Sequence, residues 1–244
     1  YQDITTTGDY SSYFTHRWIS KHPPVINELG FREREIPKKK ADDVYRIIVV
    51  GDSYTYGQGI LDDARFTNII ERDLNATGNI NRAYEVLNFG KPGAATIDEI
   101  GFLPAIFGLD PDFILLQWLP NDVEGNDLSA RPQPYRLIPS DYLSEWLHRN
   151  SALFYLVKTG WVILQTKLGV AESYKDSMMK RFADPGSKES LRADRELNEF
   201  ILRVKDEGIP VAIVMFPFLG EGDSVDSFPY GFLIERVIKT CRRQ

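Results

Sequence analysis

Four short runs of apolar residues constrain this chain more than any other feature: "YRIIVV" (45–50), "YEVLNFG" (84–90), "FILLQWL" (113–119) and "VAIVMF" (211–216). A strand wetted on one face alternates apolar and polar residues. A continuous run rich in Ile and Val therefore predicts a strand covered on both faces. Between the runs the spacing becomes helical. Phe66, Ile69, Ile70 and Leu74 follow an acidic start at Asp62 and Asp63, and Thr96 with Glu99 reads as a capping box ahead of Ile100, Leu103 and Phe107. Leu197, Phe200, Ile201 and Val204 make a stripe stopped by "DEGIP", and Tyr230, Ile234, Val237 and Cys241 make another. Strands alternating with helices predict parallel strands joined by right-handed crossovers. The expected class is α/β, a three-layer α/β/α sandwich around a central parallel sheet, with the first strand inside the sheet rather than at its edge.

Two segments fall outside the alternation. Residues 1–43 are polar and irregular, and read as an arm on a domain spanning 44–244. Residues 125–190 separate the third and fourth strands with "ARPQPYRLIPSDY" and two mixed apolar segments near 141–169, carrying Trp146, Phe154, Tyr155 and Trp161. Core packing, or failing that a lid, is the expected role of this helical insertion. A net charge of −6 speaks against a nucleic-acid binder, which ordinarily shows a basic face, and "PKKK" at 37–40 is too short to change that. The single cysteine, Cys241, excludes an internal disulfide framework and a cysteine-based zinc site. No apolar run is long enough for a membrane span and no signal peptide is visible. The chain opens at Tyr1 rather than Met, so an upstream segment is expected to have been removed.

In an open parallel sheet, ligands bind outside the carboxyl ends of the strands. After the first strand comes "GDS", after the second "NFGKPGAAT", after the third "PND" and after the fourth "PF". Each has a bland explanation by itself. Asp52 or Ser53 caps a helix, Gly90 and Gly93 serve a tight turn, and Asn121-Asp122 is a loop. Polar, hydrogen-bonding residues at three exits of four point instead to a shared site.

Here the residues resemble a family, the SGNH hydrolases or GDSL esterases. "GDSYTYG" resembles its first block, with Ser53 at the nucleophile position. "NFGKPG" resembles the second, in which the glycine five residues after the Asn, here Gly93, donates its backbone N–H. "LPND" is similar to the third, whose Asn side chain, here Asn121, faces the oxyanion; Leu119 stands where the family has Gly. "NELGFRE" and "PDFILL" resemble the extracytoplasmic, polysaccharide-associated branch. The resemblance is good over roughly residues 25–125 and beyond that rests on strand pattern. It implies a flavodoxin-like sheet, ester hydrolysis through an acyl-serine, Asp52 and Asp122 as supports of the site, and no metal or organic cofactor. The family's last block, D-x-x-H, supplies the Asp and the general-base His. It does not occur in these residues, and the helix containing Cys241 is expected to feed a fifth strand ahead of that loop. The three histidines present are His16, His22 and His148. The first two precede the nucleophile, against the family's order, and His148 in "SEWLHRN" is expected on the exposed side of a helix.

The chemistry explains the residue types. A serine hydroxyl needs a base to take its proton. Attack on an ester carbonyl builds negative charge on oxygen, where N–H donors must already point. The Ser53 and Gly93 backbone N–H groups and the Asn121 amide suit that role, and the expected partner is a small-molecule or carbohydrate ester. A same-fold acetyltransferase or deacetylase acting on a polysaccharide differs only in its acceptor. A catalytically incomplete carbohydrate-binding or assembly module is the non-enzymatic alternative. Asp52 and Asp122 holding a divalent cation would leave Ser53, Gly93 and Asn121 unexplained. Neither G-x-G-x-x-G nor G-K-[ST] follows the first strand.

Overall fold

The computed structural model describes residues 13–77, 82–125, 137–138, 140–216 and 228–244. All four apolar runs are strands: β1 (Val44–Gly51), β2 (Ala83–Gly90), β3 (Phe113–Trp118) and β4 (Val211–Met215). They pair in parallel in the order β2-β1-β3-β4, so β1 lies inside the sheet as expected. That order has a consequence for the helices. The chain steps one way from β1 to β2 through α3 (Phe66–Ala76), then the other way from β2 to β3 through α4 (Thr96–Phe107) and from β3 to β4 through α8 (Lys188–Asp206). Right-handed crossovers running in opposite directions fall on opposite faces. α3 accordingly packs on β2, while α4 packs on α8, giving the three layers.

The core lies between the sheet and the α4–α8 layer. Ile48, Val50, Leu87, Phe89, Ile114 and Leu116 face Ile100, Leu103, Leu197 and Phe200 there, all of them buried. Each such side chain contributes about 1.5–3 kcal/mol. α9 (Gly231–Arg243) follows Tyr230 and packs beside α8 through Leu233 and Val237. Among the described residues β4 is the sheet's edge and no fifth strand lies beyond it. A cavity of about 700 Å³ runs along that edge, lined by Val211, Ile213, Met215, Val237 and Ile238.

Three local expectations are corrected. The arm contains a helix, α1 (Tyr13–Lys21). The cap of α4 is shifted by one residue: the Asp98 carboxylate accepts the Ala95 N–H at 3.0 Å, so Thr96 is already helical and Glu99 is released to point inward. The insertion forms α5 (Asp141–Asn150), α6 (Ala152–Lys167) and α7 (Tyr174–Phe182), but its aromatic stretch does not join the core. Only α7 does so, through Met178 and Phe182, both fully buried.

Candidate active site

β1 ends at Gly51, and the chain turns at once into α2 (Ser53–Tyr56), a single helical turn. The turn closes without room for a side chain. A Cβ at Gly51 would sit 2.4 Å from Thr55 Oγ1 and 2.7 Å from Gln117 Oε1. One at Gly90, the last residue of β2, would sit 2.2 Å from the Tyr56 backbone nitrogen. Gly90→Ala is expected to cost about 1–3 kcal/mol, because the atoms it meets are backbone and the Thr55 Cβ, none of which can rotate away. A urea midpoint unchanged from the wild type would contradict this packing.

Asp52 caps the turn, its Oδ1 accepting the Tyr54 N–H at 2.9 Å, so the bland reading holds for that residue. Ser53 is the first residue of the turn and half-buried, and among the described residues nothing hydrogen-bonds its hydroxyl. The turn is tied to its neighbours from below. Gln117 on β3 accepts from the Thr55 N–H at 3.2 Å and the Thr55 hydroxyl at 2.8 Å. Asn88 on β2 donates to the Thr55 carbonyl and to Thr67 Oγ1, and accepts the Gly90 N–H at 2.9 Å.

The other exits adjoin it. The Lys91 N–H donates to the Gly51 carbonyl at 3.0 Å, which closes the β2 exit onto the β1 exit. Gly93 follows with φ +76°, in the left-handed region that favours glycine, and is exposed. At the β3 exit, residues Pro120–Glu124 form a 3₁₀ turn in which Asp122 Oδ2 accepts the Leu119 N–H at 2.6 Å. The Asn121 amide donates to Asp52 Oδ2 at 3.4 Å, while Asn121 Oδ1 is buried without a partner. Because β2, β1 and β3 are adjacent and parallel, Gly93, Ser53 and Asn121 share one end of the sheet. The Asn121–Asp52 hydrogen bond ties the β3 exit to the residue before Ser53.

Three buried acids, Asp52, Glu99 and Asp122, lie close enough to influence one another. Burial pushes the Asp52 carboxyl up, against the hydrogen bond from the Tyr54 N–H. Glu99 and Asp122 are pushed well above the usual carboxylate range, first by burial and then by negative neighbours: Asp52 for Glu99, and Glu99 with Asp52 for Asp122. Both Glu99 oxygens and Asp122 Oδ1 lack hydrogen-bond partners. No three His, Cys, Asp or Glu side chains among the described residues are grouped to hold a metal ion.

No protein-family model matches the sequence, and no curated protein matches it. Solved structures similar to it in fold include TesA, at 14% identity and a TM-score of 0.41 over 79% of this chain and 74% of that one. LAE5, an α/β hydrolase enzyme from the metagenome of Lake Arreo, Spain, is 19% identical with a TM-score of 0.41 over 83% of this chain and 75% of its own. A catalytic mutant of an acetylxylan esterase from Geobacillus stearothermophilus is 12% identical with a TM-score of 0.34, over 84% and 96%. At these values the fold rests on the strand order and register above, and the site on its own hydrogen bonds.

The sequence pointed to the exits but missed what holds them. Arg32, inside the quoted "NELGFRE", is buried and donates to the Gly57 carbonyl at 2.7 Å and the Ile60 carbonyl at 2.9 Å. It thereby clamps the end of the Ser53 turn. Glu33 beside it accepts the Asn88 N–H at 2.9 Å. An aromatic wall also went unread: the Phe216 ring, just past β4, meets Tyr54 at 6.3 Å and Phe66 at 5.5 Å, both edge-on. The histidines lie elsewhere. His22 Nδ1 is 3.2 Å from the Trp18 carbonyl and its ring stacks on Trp18. His148, expected to be exposed, is half-buried with its ring 5.1 Å from Tyr155. Among the described residues no histidine hydrogen-bonds Ser53.

Proposed function

We propose that this protein is a serine ester hydrolase that works through an acyl-serine at Ser53. The observation that carries the reading is the Asn121–Asp52 hydrogen bond, which draws the third strand exit against the residue preceding Ser53. Ser53 Oγ attacks the ester carbonyl carbon, and the negative oxygen is met by the Ser53 and Gly93 N–H groups and the second amide hydrogen of Asn121. The alcohol leaves with a proton, and water then releases the acid from the acyl-serine. The rings of Tyr54, Phe66 and Phe216 offer an apolar wall for the acyl or alcohol part. The base that takes the Ser53 proton is not a described histidine, and the motif resemblance assigns that role to a D-x-x-H block these residues lack. The same resemblance supports an extracytoplasmic setting and a polysaccharide as the acetyl carrier. That no described histidine touches Ser53 favours, as second reading, an incomplete carbohydrate-binding or assembly module.

The two readings separate on the acyl-enzyme. Incubation with p-nitrophenyl acetate is expected to leave one acetyl group on the Ser53 peptide, read by mass spectrometry. Acetylation spread over surface lysines with none on Ser53 would favour the module. Asn121→Ala is expected to lower the Ser53-dependent rate by about 10² to 10³, the usual cost of one oxyanion donor.

A further inference from the structure

The "NELGFRE" stretch folds into a tight loop that brings two charged residues to the strand exits. Asn27 Oδ1 accepts the Leu29 N–H at 3.1 Å and the Phe31 N–H at 3.0 Å, and Gly30 turns the chain at φ +83°. Phe31 anchors the loop in the core, its ring centroid 4.3 Å from that of Phe89 on β2. The next two residues are thereby fixed in place. Glu33 accepts the Asn88 N–H, and Asn88 accepts the Gly90 N–H, so Glu33 holds the β2 exit. Arg32 holds the β1 exit. Its Nη1 donates to the Gly57 carbonyl at 2.7 Å and the Tyr56 carbonyl at 3.3 Å, and its Nη2 to the Ile60 carbonyl at 2.9 Å. The same Nη2 pairs with Asp62 at 2.5 Å. The guanidinium also lies over the rings of Trp18 on α1 and of Tyr56, 5.4 and 5.3 Å from their centroids.

That clamp bears on Ser53 because α2 is a single turn. A helix of four residues does not hold itself, since nucleation costs more than so few bonds return. The Ser53 carbonyl accepts the Gly57 and Gln58 N–H groups, both at 3.1 Å, so the position of Ser53 follows that of residues 57 and 58. The last carbonyls of a helix need partners from outside it, and Arg32 supplies them at Tyr56 and Gly57. A lysine would serve poorly here. One ammonium does not span three carbonyls and a carboxylate, whereas the planar fork of a guanidinium does. Arg32 is buried, so water competes little for these bonds. Its described partners are the carbonyls of the turn, Asp62 and two rings, not the Ser53 hydroxyl, so its effect on chemistry runs through position.

We propose that Arg32 is a positioning residue for Ser53, locking the far end of the turn so that the hydroxyl stands where attack on an ester requires it. The inference rests on the ester-hydrolase reading and adds the arm to the active site. Two measurements on the intact chain test it. Amide exchange over residues 53–60, read by mass spectrometry, is expected to quicken about tenfold or more in Arg32→Ala and less in Arg32→Lys, with α8 unchanged. Ser53 acetylation by p-nitrophenyl acetate, with imidazole present, is expected to fall about 10²-fold in Arg32→Ala, as for a reacting group displaced by about 1 Å. Guanidinium chloride far below denaturing concentration should restore part of both losses, and methylammonium should not. Gly90→Ala, which crowds the same turn, is the control whose losses should not respond to guanidinium. Arg32→Lys keeps a charge beside Asp62, and it decides the matter should the alanine variant fail to fold. Unchanged exchange over 53–60 in the folded variants, or Ser53 acetylation in them at the wild-type rate, would overturn the proposal. Equal recovery of Gly90→Ala would do the same, by showing a general effect on stability. Absence of Ser53 acetylation in the wild type would instead be the failure of the hydrolase reading, and amide exchange would then decide by itself whether Arg32 holds the turn.

Discussion

Alanine at Ser53 is expected to remove turnover of activated esters, by about 10⁴ or more wherever a general base is in place. The size of the effect depends on that base. Because no described histidine hydrogen-bonds Ser53, residues 1–244 are expected to turn over p-nitrophenyl acetate only at the level an oxyanion hole sustains alone, about 10³ to 10⁴ over water. Imidazole supplied in solution should then raise the rate of the wild type above the background seen with Ser53→Ala, as it takes the proton that no described histidine is placed to take. The pH profile of that increment should follow the neutral form of imidazole. Fast turnover without imidazole that survives Ser53→Ala would remove Ser53 from the chemistry. Fast turnover that needs Ser53 would instead assign the base to His16, His22 or His148, and alanine at each would show which.

Glu99→Gln is expected to make the protein more stable at neutral and alkaline pH and to flatten its pH dependence. Glu99 is fully buried, neither carboxyl oxygen has a hydrogen-bond partner, and its pKa is raised well above 4.5 by burial and by Asp52. A raised carboxyl pKa means that the folded state keeps a proton the unfolded state has lost. Stability is therefore full below the ordinary carboxylate range and falls as pH rises above it, by up to about 1.4 kcal/mol per pH unit for each such group. Asp122 is raised in the same direction, so the wild type should lose stability along a slope to which both acids contribute. Glutamine removes the Glu99 share. Urea midpoints should nearly coincide at acidic pH and diverge in favour of the variant toward alkaline pH. Parallel profiles, or a variant weaker at every pH, would show that the Glu99 carboxyl is paired in solution.

The buried Glu99 also marks where reading the sequence stopped. The four strands were legible because a continuous Ile- and Val-rich run has one economical home, a strand covered on both faces. Their parallel direction followed from the helical spacing between them, while the order β2-β1-β3-β4 came from the structure. The three exits with Ser53, Gly93 and Asn121 were legible for the same reason, since parallel strands bring their carboxyl ends to one side. Glu99 was read as a cap because its spacing from Thr96 fits one. A one-residue shift, set by Asp98 reaching back to Ala95, turned it into the core beneath the site. Arg32 lies in a stretch without periodicity, and its partners at Gly57 and Ile60 are 25 and 28 residues away, contacts that no local pattern encodes. The outward stripe of α6, with Leu153 and Leu164 exposed, failed in the opposite sense. Its leucines have the right spacing for a buried face, but spacing fixes only which residues share a side. Which side packs against neighbouring helices, and which stays exposed, is decided by how the helices stack, and that belongs to the tertiary structure alone.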